Sequence, residues 1–485
     1  MSGAIAPFFP DYRGKMEYYC LDCGQSRGAD ELLYACSACG GTFLLRDADF
    51  DKLRRMDGAA WREVFDRRAG EKTPLARGIF RYYELMAPAL EPEDLVCLGE
   101  GHTPEVEASK ALRSIIGLPF AYKNDGQNPS ASFKDRGMAC AFSHLKAMIR
   151  KHGWTEVLAV CASTGDTSAA AAMYAAHLGE PVKSVVLLPK GKVTALQLAQ
   201  PLGSGARVLE LPGVFDDCMK VVEYLAGHYR VALLNSKNAW RILGQESYAY
   251  EIAQWHDWNM EGLCIFVPIG NAGNITAVLS GFLKLHTLDI ISNLPRIFGV
   301  QSAHADPLCR YYESGEKEFF PVRVRSSVAQ AAMIGAPVSF PRVRRLAVEY
   351  RRVAGDSAFQ VIRVAEQDIM DSMLLANRHG HIACTQGGES LAGLRAALDL
   401  GLVGGGEYAV LDSTAHMLKF ADFQNRYFAG ELEREYAVRS DPALVNLPLS
   451  LFSQAEKDAL GEEEYIRQAG QGIAGLLNLC GRADG

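Results

Sequence analysis

The sequence predicts an α/β protein in which helices cover parallel sheets, preceded by a small cysteine-rich module. Three observations support this prediction. From about residue 120 onward, strand-like runs, glycine-rich turns and helix-like runs alternate along the chain. The strand-like runs are apolar on both faces, as expected for strands buried between two layers of helices. Four cysteines lie close together near the N-terminus, in two pairs of identical spacing.

The composition is typical of a globular protein. The 485 residues are 48% hydrophobic and 22% charged, with 46 Gly and 20 Pro. The formal net charge of −7 provides no broad basic surface for nucleic acid or anionic lipid. No run of about 18 apolar residues occurs, so we expect neither a membrane-spanning helix nor a nucleic-acid partner.

The cysteines and the N-terminal residues indicate the compartment. Eight of the twelve cysteines are scattered singly, mostly among apolar residues, which is typical of reduced thiols. Residues 1–19 mix charged and aromatic side chains and lack the pattern of a secretory signal. We therefore expect a cytoplasmic protein.

The first 46 residues predict a zinc-ribbon-like module. Cys20 and Cys23 form one CxxC turn and Cys36 and Cys39 a second, each followed by glycine and separated by twelve residues. Two such turns supply the four thiolates of a tetrahedral zinc site. Dithiol redox chemistry would need only one pair. A closed shell of four cysteines leaves no position for catalysis, so we expect a structural ion.

The rest of the chain divides into three regions. Residues 47–98 predict a charged helical linker or cap, with Trp61 and Phe65 four residues apart on one helix face. Residues 99–430 contain the α/β alternation. Residues 431–485 form a C-terminal extension with a predicted helix at about 462–477.

Within the α/β region, five strand–helix units are regular enough to assign. The predicted strands are 156–161, 183–188, 206–210, 231–235 and 263–268. The helices that follow them are predicted at 167–178, 193–200, 214–228, 240–256 and 274–285. Residues 311–352, rich in Arg, Pro and Ser, fit neither pattern.

Lys134 is the first candidate for chemistry. It lies among small residues, after a probable strand at 120–124 and just before an apolar helix at 136–149. One interpretation is a lysine that is ion-paired or reaches solvent through its aliphatic stem. The other is a lysine that forms a Schiff base with pyridoxal phosphate (PLP), because an amine that is desolvated near positive charge loses its proton and becomes nucleophilic.

Two turns have the character of anion sites. Residues 268–274 follow a strand and open a helix, and Gly270 and Gly273 let backbone amides approach a phosphate at the helix N-terminus. Residues 161–168 repeat this arrangement with hydroxyl-bearing residues. That turn could bind a substrate carboxylate while Asp166 reaches a cofactor hydroxyl. Each turn could instead be purely structural, with Asp166 or Thr167 as a helix cap.

A third strand, at about 410–412, runs into Ser413 and Thr414. A hydroxyl beside a pyridine nitrogen would leave that nitrogen neutral, whereas a carboxylate would protonate it. The alternative is that both hydroxyls satisfy nearby backbone groups.

Together these motifs resemble the tryptophan-synthase-β-like enzymes, the PLP enzymes of fold type II, and in particular the threonine synthases among them. The motifs are SFKDRG at 132–137, ASTGDTSAA at 162–170, LNS and RILGQ within 234–245, GNAGNI at 270–275, and STAH and LKF within 413–420. The resemblance covers about 99–420 and implies two parallel-sheet lobes with PLP between them. It also implies a homodimer.

The resemblance implies a role for each matching cofactor residue. Lys134 would carry PLP and then move protons at the substrate Cα and Cβ. Asp166 would face the cofactor 3′-oxygen, and Ser413 or Thr414 its ring nitrogen. The backbone cradle for the PLP phosphate would consist of Gly270, Asn271, Ala272, Gly273 and Asn274.

The substrate residues are implied in the same way. Ser163 and Thr164 resemble carboxylate ligands. The pocket for the substrate phosphate would consist of Asn235, Ser236 and Arg241, with Lys192 as a weaker candidate. The implied reaction converts O-phospho-L-homoserine and water to L-threonine and phosphate, which classes the chain as a PLP-dependent carbon–oxygen lyase of amino-acid biosynthesis.

Three departures from the family pattern keep alternatives open: Ala131 in the lysine loop, the segment Thr385 to Glu389, and the extension after Asp441. One alternative is a related enzyme for another activated amino acid, such as a cysteate synthase using O-phosphoserine and sulfite. A second is a zinc-ribbon regulatory protein whose PLP domain is vestigial.

Overall fold

The computed structural model describes residues 12–73, 76, 78–163, 165–190, 195–213 and 215–480. It confirms the predicted α/β architecture: within these residues thirteen strands form one antiparallel and two largely parallel sheets. None of the helices in the described residues is both long enough and apolar enough to span a membrane.

The strands are β1 Met16–Cys20, β2 Ser26–Gly28, β3 Phe43–Asp47, β4 Glu105–Glu107, β5 Phe120–Asn124, β6 Val157–Ala162, β7 Val182–Pro189, β8 Arg207–Leu211, β9 Val231–Leu233, β10 Leu263–Pro268, β11 Arg296–Ser302, β12 Phe359–Val364 and β13 Tyr408–Ser413. The helices are α1 Gly58–Ala69, α2 Tyr83–Met86, α3 Lys110–Ile116, α4 Lys134–His152, α5 Asp166–Leu178, α6 Ala195–Gly203, α7 Phe215–His228, α8 Ala239–Gln245, α9 Ser247–Trp255, α10 Gly273–Thr287, α11 Pro307–Glu313, α12 Phe340–Ala354, α13 Glu366–Arg378, α14 Thr385–Asp399, α15 Ala421–Phe428, α16 Glu433–Tyr436, α17 Gln454–Ala459 and α18 Glu462–Leu476.

Two parallel sheets form the body of the protein. The larger sheet has the order β12-β11-β10-β13-β5-β4, and its strands are parallel except for β4 at the edge. The smaller sheet has the order β8-β7-β6-β9 and is parallel. All four strands of the smaller sheet lie between β5 and β10 in the chain. The smaller lobe is therefore inserted between two strands of the larger one.

The cysteine module, residues 16–47, is a three-stranded antiparallel sheet of order β2-β1-β3. Along β1, alternate side chains are buried, with Met16, Tyr18 and Cys20 facing inward. They belong to the same hydrophobic core as residues of the two parallel sheets and their helices. The module is thus packed against the rest of the protein through a shared core.

Local patterns located β5 to β10 and the helices that follow them, but left β11, β12 and the helices α11 to α16 unassigned. The single helix predicted at 240–256 is two helices, α8 and α9, because the chain tightens at Glu246, whose amide donates to the Leu243 carbonyl three residues earlier. The linker is helical mainly in α1, where Trp61 and Phe65 stack with ring centroids 5.6 Å apart.

The C-terminal extension contains the predicted helix as α18. Neither α17 nor α18 has a buried residue. This part of the chain therefore adds little to the core that positions the site.

Candidate active site

The predicted functional segments meet because three neighbouring strands end at the same edge of the larger sheet. In the order β10-β13-β5, the strands are parallel and end at Pro268, Ser413 and Asn124. Ligands of open α/β sheets bind at this carboxyl edge. The glycine turn (residues 270–274), the Ser413–Thr414 pair and the lysine loop (residues 128–133) all follow these strand ends.

Backbone hydrogen bonds attach the lysine loop to the end of β13. The Phe133 amide donates to the Thr414 carbonyl over 2.9 Å, and the His416 amide donates to the Ala131 carbonyl over 3.0 Å. Ala131 has a positive φ of 63°, a conformation that favours glycine. The departure from the family pattern at this position is therefore accommodated at a small cost in backbone strain.

Lys134 is the first residue of α4. Burial lowers the pKa of its amine to about 7, and the positive charge of Arg241 contributes in the same direction. In the described part of the chain the amine has no carboxylate within ion-pair distance, and it lies 3.8 Å from the centroid of the Phe133 ring. These features favour a nucleophilic amine over an ion-paired surface lysine.

The glycine turn is shaped by close backbone contacts. A methyl group at Gly270 would lie 2.9 Å from Ala332 Cα, and one at Gly273 would lie 3.0 Å from the Ile242 side chain. Ala272 takes a left-handed conformation at φ 61° and immediately precedes α10. Amides at the N-terminus of this fifteen-residue helix provide a favourable environment for a phosphate.

Replacing Gly270 with alanine is therefore expected to weaken PLP binding about tenfold or more, since overpacking a tight contact costs about 1–3 kcal/mol. Titrating the apoprotein with PLP and following the visible absorbance would measure this. Gly404, where no atom lies within 4 Å of an added methyl group, provides the matched control. Unchanged PLP affinity in Gly270→Ala would contradict the assignment of the cradle.

Asn274 and Asp412 link the glycine turn to β13. The Asn274 side-chain amide donates to Asp412 Oδ2 over 2.7 Å. Burial, together with the nearby Asp125 charge, raises the pKa of Asp412 well above its usual value. Because Asp412 holds the Asn274 side chain, contact between Asn274 and a phosphate would use the backbone amide.

Ser413 has the features expected of a ligand contact. It is fully buried, and its hydroxyl oxygen has no hydrogen-bond partner among the described residues. Thr414 Oγ1, in contrast, lies 3.5 Å from Cys384 Sγ. An unsatisfied buried hydroxyl is uncommon in folded proteins, so Ser413 is the better candidate of the two for a ring nitrogen.

The segment Thr385 to Glu389, noted above as a departure from the family pattern, forms the beginning of α14. The Gln386 and Thr385 side chains are buried there, with polar atoms that have no hydrogen-bond partner among the residues that the structure describes. A methyl group at Gly387 would lie 3.3 Å from Ser413 Oγ. The structure adds this segment to the candidate site.

Asp166 begins α5, and its carboxylate lies 3.0 Å from the Lys419 amine. Lys419 also donates to the Ser130 carbonyl over 2.9 Å and to Gln200 Oε1 over 2.7 Å. Asp166 and Gln200 belong to the smaller lobe, and Lys419 follows β13 of the larger one. Lys419 therefore bridges the two lobes, a position that its place in the LKF motif does not indicate.

The residues predicted for the substrate carboxylate are partly described. The Ser163 hydroxyl accepts a hydrogen bond from the Gly165 amide over 3.3 Å and is only partly buried. Thr164, and the phosphate candidate Lys192, lie outside the described residues.

Arg241 lies on α8 and is 4% exposed. One of its terminal nitrogens donates to the Leu234 carbonyl over 2.9 Å, and its Nε has no hydrogen-bond partner in the described part of the chain. Burial lowers its pKa to about 10, and within the described residues no carboxylate pairs with it. A buried guanidinium without a counter-ion is costly unless an anion binds beside it.

Asn235 and Ser236 lie in the loop of residues 234–238, which we call the substrate loop. This loop leads into α8, where Arg241 lies. Both polar atoms of the Asn235 side chain bond to the backbone of Ala162, at 2.6 and 3.1 Å, at the end of β6. Asn235 therefore attaches the substrate loop to the turn of residues 161–168, which is the candidate site for the substrate carboxylate. The Ser236 carbonyl is held by Arg342 over 3.0 Å.

The four predicted metal ligands converge. The sulfur atoms of Cys20, Cys23, Cys36 and Cys39 all lie within 4.8 Å of one another. Two of these separations are 3.5 and 3.7 Å, and a tetrahedral ion with zinc–sulfur bonds of about 2.3 Å would place its ligands about 3.8 Å apart. Hydrogen bonding from the Ala38 amide lowers the pKa of Cys36 to about 7, although burial opposes it. The donor set fits a zinc ion.

Comparisons with known proteins identify the family. Residues 96–413 match the model of the pyridoxal-phosphate dependent enzyme family. Threonine synthase 2, chloroplastic, of Arabidopsis thaliana is 33% identical over 448 residues, which cover 91% of this chain and 83% of that protein. Threonine synthase of Methanocaldococcus jannaschii is 34% identical over 406 residues, covering 83% and 93%.

Solved structures share the fold. Threonine synthase from Escherichia coli aligns with a TM-score of 0.60 at 20% identity, covering 89% of this chain and 95% of that one. Threonine synthase from yeast aligns with a TM-score of 0.58 at 19% identity, covering 93% and 94%. The chain therefore belongs to the pyridoxal-phosphate dependent enzyme family, and its relatives there are threonine synthases.

Proposed function

We propose that this chain is a threonine synthase that converts O-phospho-L-homoserine and water to L-threonine and phosphate. The observation that carries the proposal is the presence of two basic side chains in one site: the half-buried Lys134, whose amine has a pKa lowered by burial and partly by the charge of Arg241, and the buried Arg241 guanidinium, which no described carboxylate neutralises. A PLP-linked amine next to a site for a second anion suits a phosphorylated amino acid. The printed names of the relatives support the same activity.

The residues present fit PLP. The amides of residues 270–274 and the N-terminus of α10 would hold its phosphate, and the Ser413 hydroxyl would face its ring nitrogen. Asp166 would lie towards its 3′-oxygen. The Lys419 amine, 3.0 Å from the Asp166 carboxylate, would partly neutralise the charge of that carboxylate. When bound, PLP supplies an electron sink for carbanions next to the substrate amine.

The protein groups would then move protons and orient the substrate. Ser163 and Thr164 would bind the carboxylate and Arg241 the phosphate, so that the substrate is held at both ends. Lys134 would remove one proton from Cα and one from Cβ, and would return one proton to Cγ and one to Cα. In the overall reaction the Cγ–O bond to phosphate breaks with its electron pair leaving on the phosphate oxygen, the water oxygen bonds to Cβ, and the proton that water loses is taken up by the released phosphate.

Measuring product formation with two substrates tests the proposal. We expect phosphate and threonine in equal amounts from O-phospho-L-homoserine, and no phosphate release from O-phosphoserine with sulfite. The reverse preference would identify the cysteate synthase alternative. A protein that binds no PLP, with no visible absorbance, would support the vestigial regulatory alternative instead.

The structural zinc ion is part of the proposal, supported by the spacing of the four sulfurs. Metal analysis is expected to find one zinc per chain, and Cys39→Ser to lower both the zinc content and the melting temperature, because closing the site contributes folding free energy. Cys480 is also exposed but lies far from the module in sequence, so Cys480→Ser is the control. Equal zinc content in both variants would refute the site.

A cytoplasmic location and a homodimeric state complete the proposal. The first is supported by the eight cysteines that are scattered singly, mostly among apolar residues, a distribution typical of reduced thiols. The second rests on the family resemblance. Sedimentation of the holoenzyme at several concentrations would test it, and a monomer at all of them would contradict it.

A further inference from the structure

Arg342 on α12 is a buried guanidinium outside the predicted site. It is 0% exposed, and burial lowers its pKa to about 10. Its four hydrogen bonds all go to neutral oxygens: the carbonyls of Phe43, Ser236 and Lys237 at 2.8, 3.0 and 3.1 Å, and the Ser339 hydroxyl at 2.9 Å. Within the described residues it has no carboxylate partner.

These oxygens belong to three segments that are far apart in sequence. Phe43 lies on β3 of the cysteine module, directly opposite Cys20 on β1. Ser236 and Lys237 belong to the substrate loop that leads into Arg241. The Ser339 amide donates to the Asn271 carbonyl in the glycine turn over 3.1 Å. One side chain therefore joins the module to both candidate phosphate sites.

A second set of contacts joins the same module to the same loop. Trp240, the neighbour of Arg241, donates from its indole nitrogen to the Tyr18 hydroxyl over 3.1 Å. The Tyr34 hydroxyl donates to the Val231 carbonyl over 3.3 Å and accepts from the Leu233 amide over 2.9 Å. Both partners of Tyr34 lie on β9, the strand that enters the substrate loop.

Carbonyl oxygens held by a charged donor form stronger hydrogen bonds than those held by a neutral one. Two consecutive carbonyls, Ser236 and Lys237, are held this way, so the direction in which the chain enters α8 depends on Arg342. That direction determines where the Arg241 guanidinium lies.

We propose that Arg342 is a positioning residue through which the cysteine module orients the substrate loop for the substrate phosphate. The inference rests on the proposed function, since it assigns that phosphate to Arg241. It also gives the module a task beyond local stabilisation: through Arg342, Trp240 and β9, the module's β3 and its Tyr18 and Tyr34 hydroxyls hold the substrate loop in place.

The test compares Arg342→Met with Arg345→Met in the PLP-loaded holoenzyme. Arg345 lies on the same helix but is exposed, so it controls for loss of an arginine from α12. For Arg342→Met we expect KM for O-phospho-L-homoserine and the Kd for inorganic phosphate to rise about tenfold or more, because the Ser236 and Lys237 carbonyls that orient the loop lose their charged donor. The kcat should change less than about threefold, and PLP affinity should be unchanged.

A conservative variant separates positioning from folding. Arg342→Lys can donate to some of the same carbonyls and should recover part of the phosphate affinity. If Arg342→Met does not fold, Tyr34→Phe decides, because it removes only one hydroxyl between the module and β9. We expect it to raise the same KM and Kd without a change in kcat.

Several outcomes would overturn the inference: an unchanged KM and phosphate Kd in folded Arg342→Met, an equal loss of PLP affinity and kcat, or an effect of the same size in Arg345→Met. An inert Tyr34→Phe would do so if the arginine variant cannot be made. Failure of the proposed function is distinguishable. Wild-type holoenzyme inactive on O-phospho-L-homoserine would refute the function, while the inorganic phosphate titration would still test Arg342.

Discussion

Lys134→Ala is expected to lose the visible absorbance of bound PLP and to lower kcat by about 10³-fold or more, since it removes both the covalent link and the proton-transfer group. Absorbance after dialysis against PLP and assay of phosphate release would measure these effects. Lys146, on the same helix and bonded to the Glu93 carbonyl, provides the control as Lys146→Ala. Retained absorbance in Lys134→Ala would mean that another amine carries the cofactor.

The pH dependence of PLP capture provides a sharper test of the same residue. The pKa of the Lys134 amine is lowered to about 7, so the fraction of reactive neutral amine grows as the pH rises through that value. The rate at which the apoprotein captures PLP should therefore increase from about pH 6 to pH 8 and then level off. An amine with an ordinary lysine pKa would show a continued rise to about pH 10.

Arg241→Met is expected to raise KM for O-phospho-L-homoserine by about 10²-fold, because hydrogen bonds to a charged group are worth about 1.5–3 kcal/mol. PLP should remain bound, since no cofactor contact is assigned to Arg241. Arg241→Lys keeps the charge but loses the paired donors and should fall between wild type and Arg241→Met. Steady-state kinetics with PLP absorbance recorded alongside would measure both effects.

Stability provides an independent measure of Arg241. Its guanidinium is buried without a carboxylate, so in phosphate-free buffer the melting temperature of Arg241→Met should be no lower than that of wild type. Added phosphate should raise the melting temperature of wild type more than that of the variant. Loss of PLP from Arg241→Met would contradict this account, because it would place Arg241 at the cofactor.

Local sequence patterns predicted the strands well. The strands expected at 120–124 and 263–268 agree with β5 and β10, because a short apolar run bounded by turn residues is recognisable without knowledge of its partners. The division of 240–256 into two helices was missed. A methyl group at Gly244 would lie 2.2 Å from the Arg136 carbonyl, so this region is shaped by contact with another helix.

The candidate site was predicted in its parts but not in its connections. Lys134, the glycine turn and Ser413 were identified because each combines a residue type with a position after a strand. Lys419 and Arg342 were not assigned roles, since lysine and arginine are common and nothing beside them in the sequence marks a buried partner. Their importance depends on oxygens contributed by distant segments.

The sequence by itself determined the fold class, the four-cysteine cluster and the residue types at each strand end, because these depend on local periodicity and spacing. Only the tertiary structure decided which strands are neighbours. The order β10-β13-β5 brings residues 270, 413 and 134 to one edge although the chain separates them widely. Burial lowers the pKa of both Lys134 and Arg241, and Arg241 has no counter-ion among the described residues. This burial arises from packing between the lobes and the module, and no local pattern encodes it.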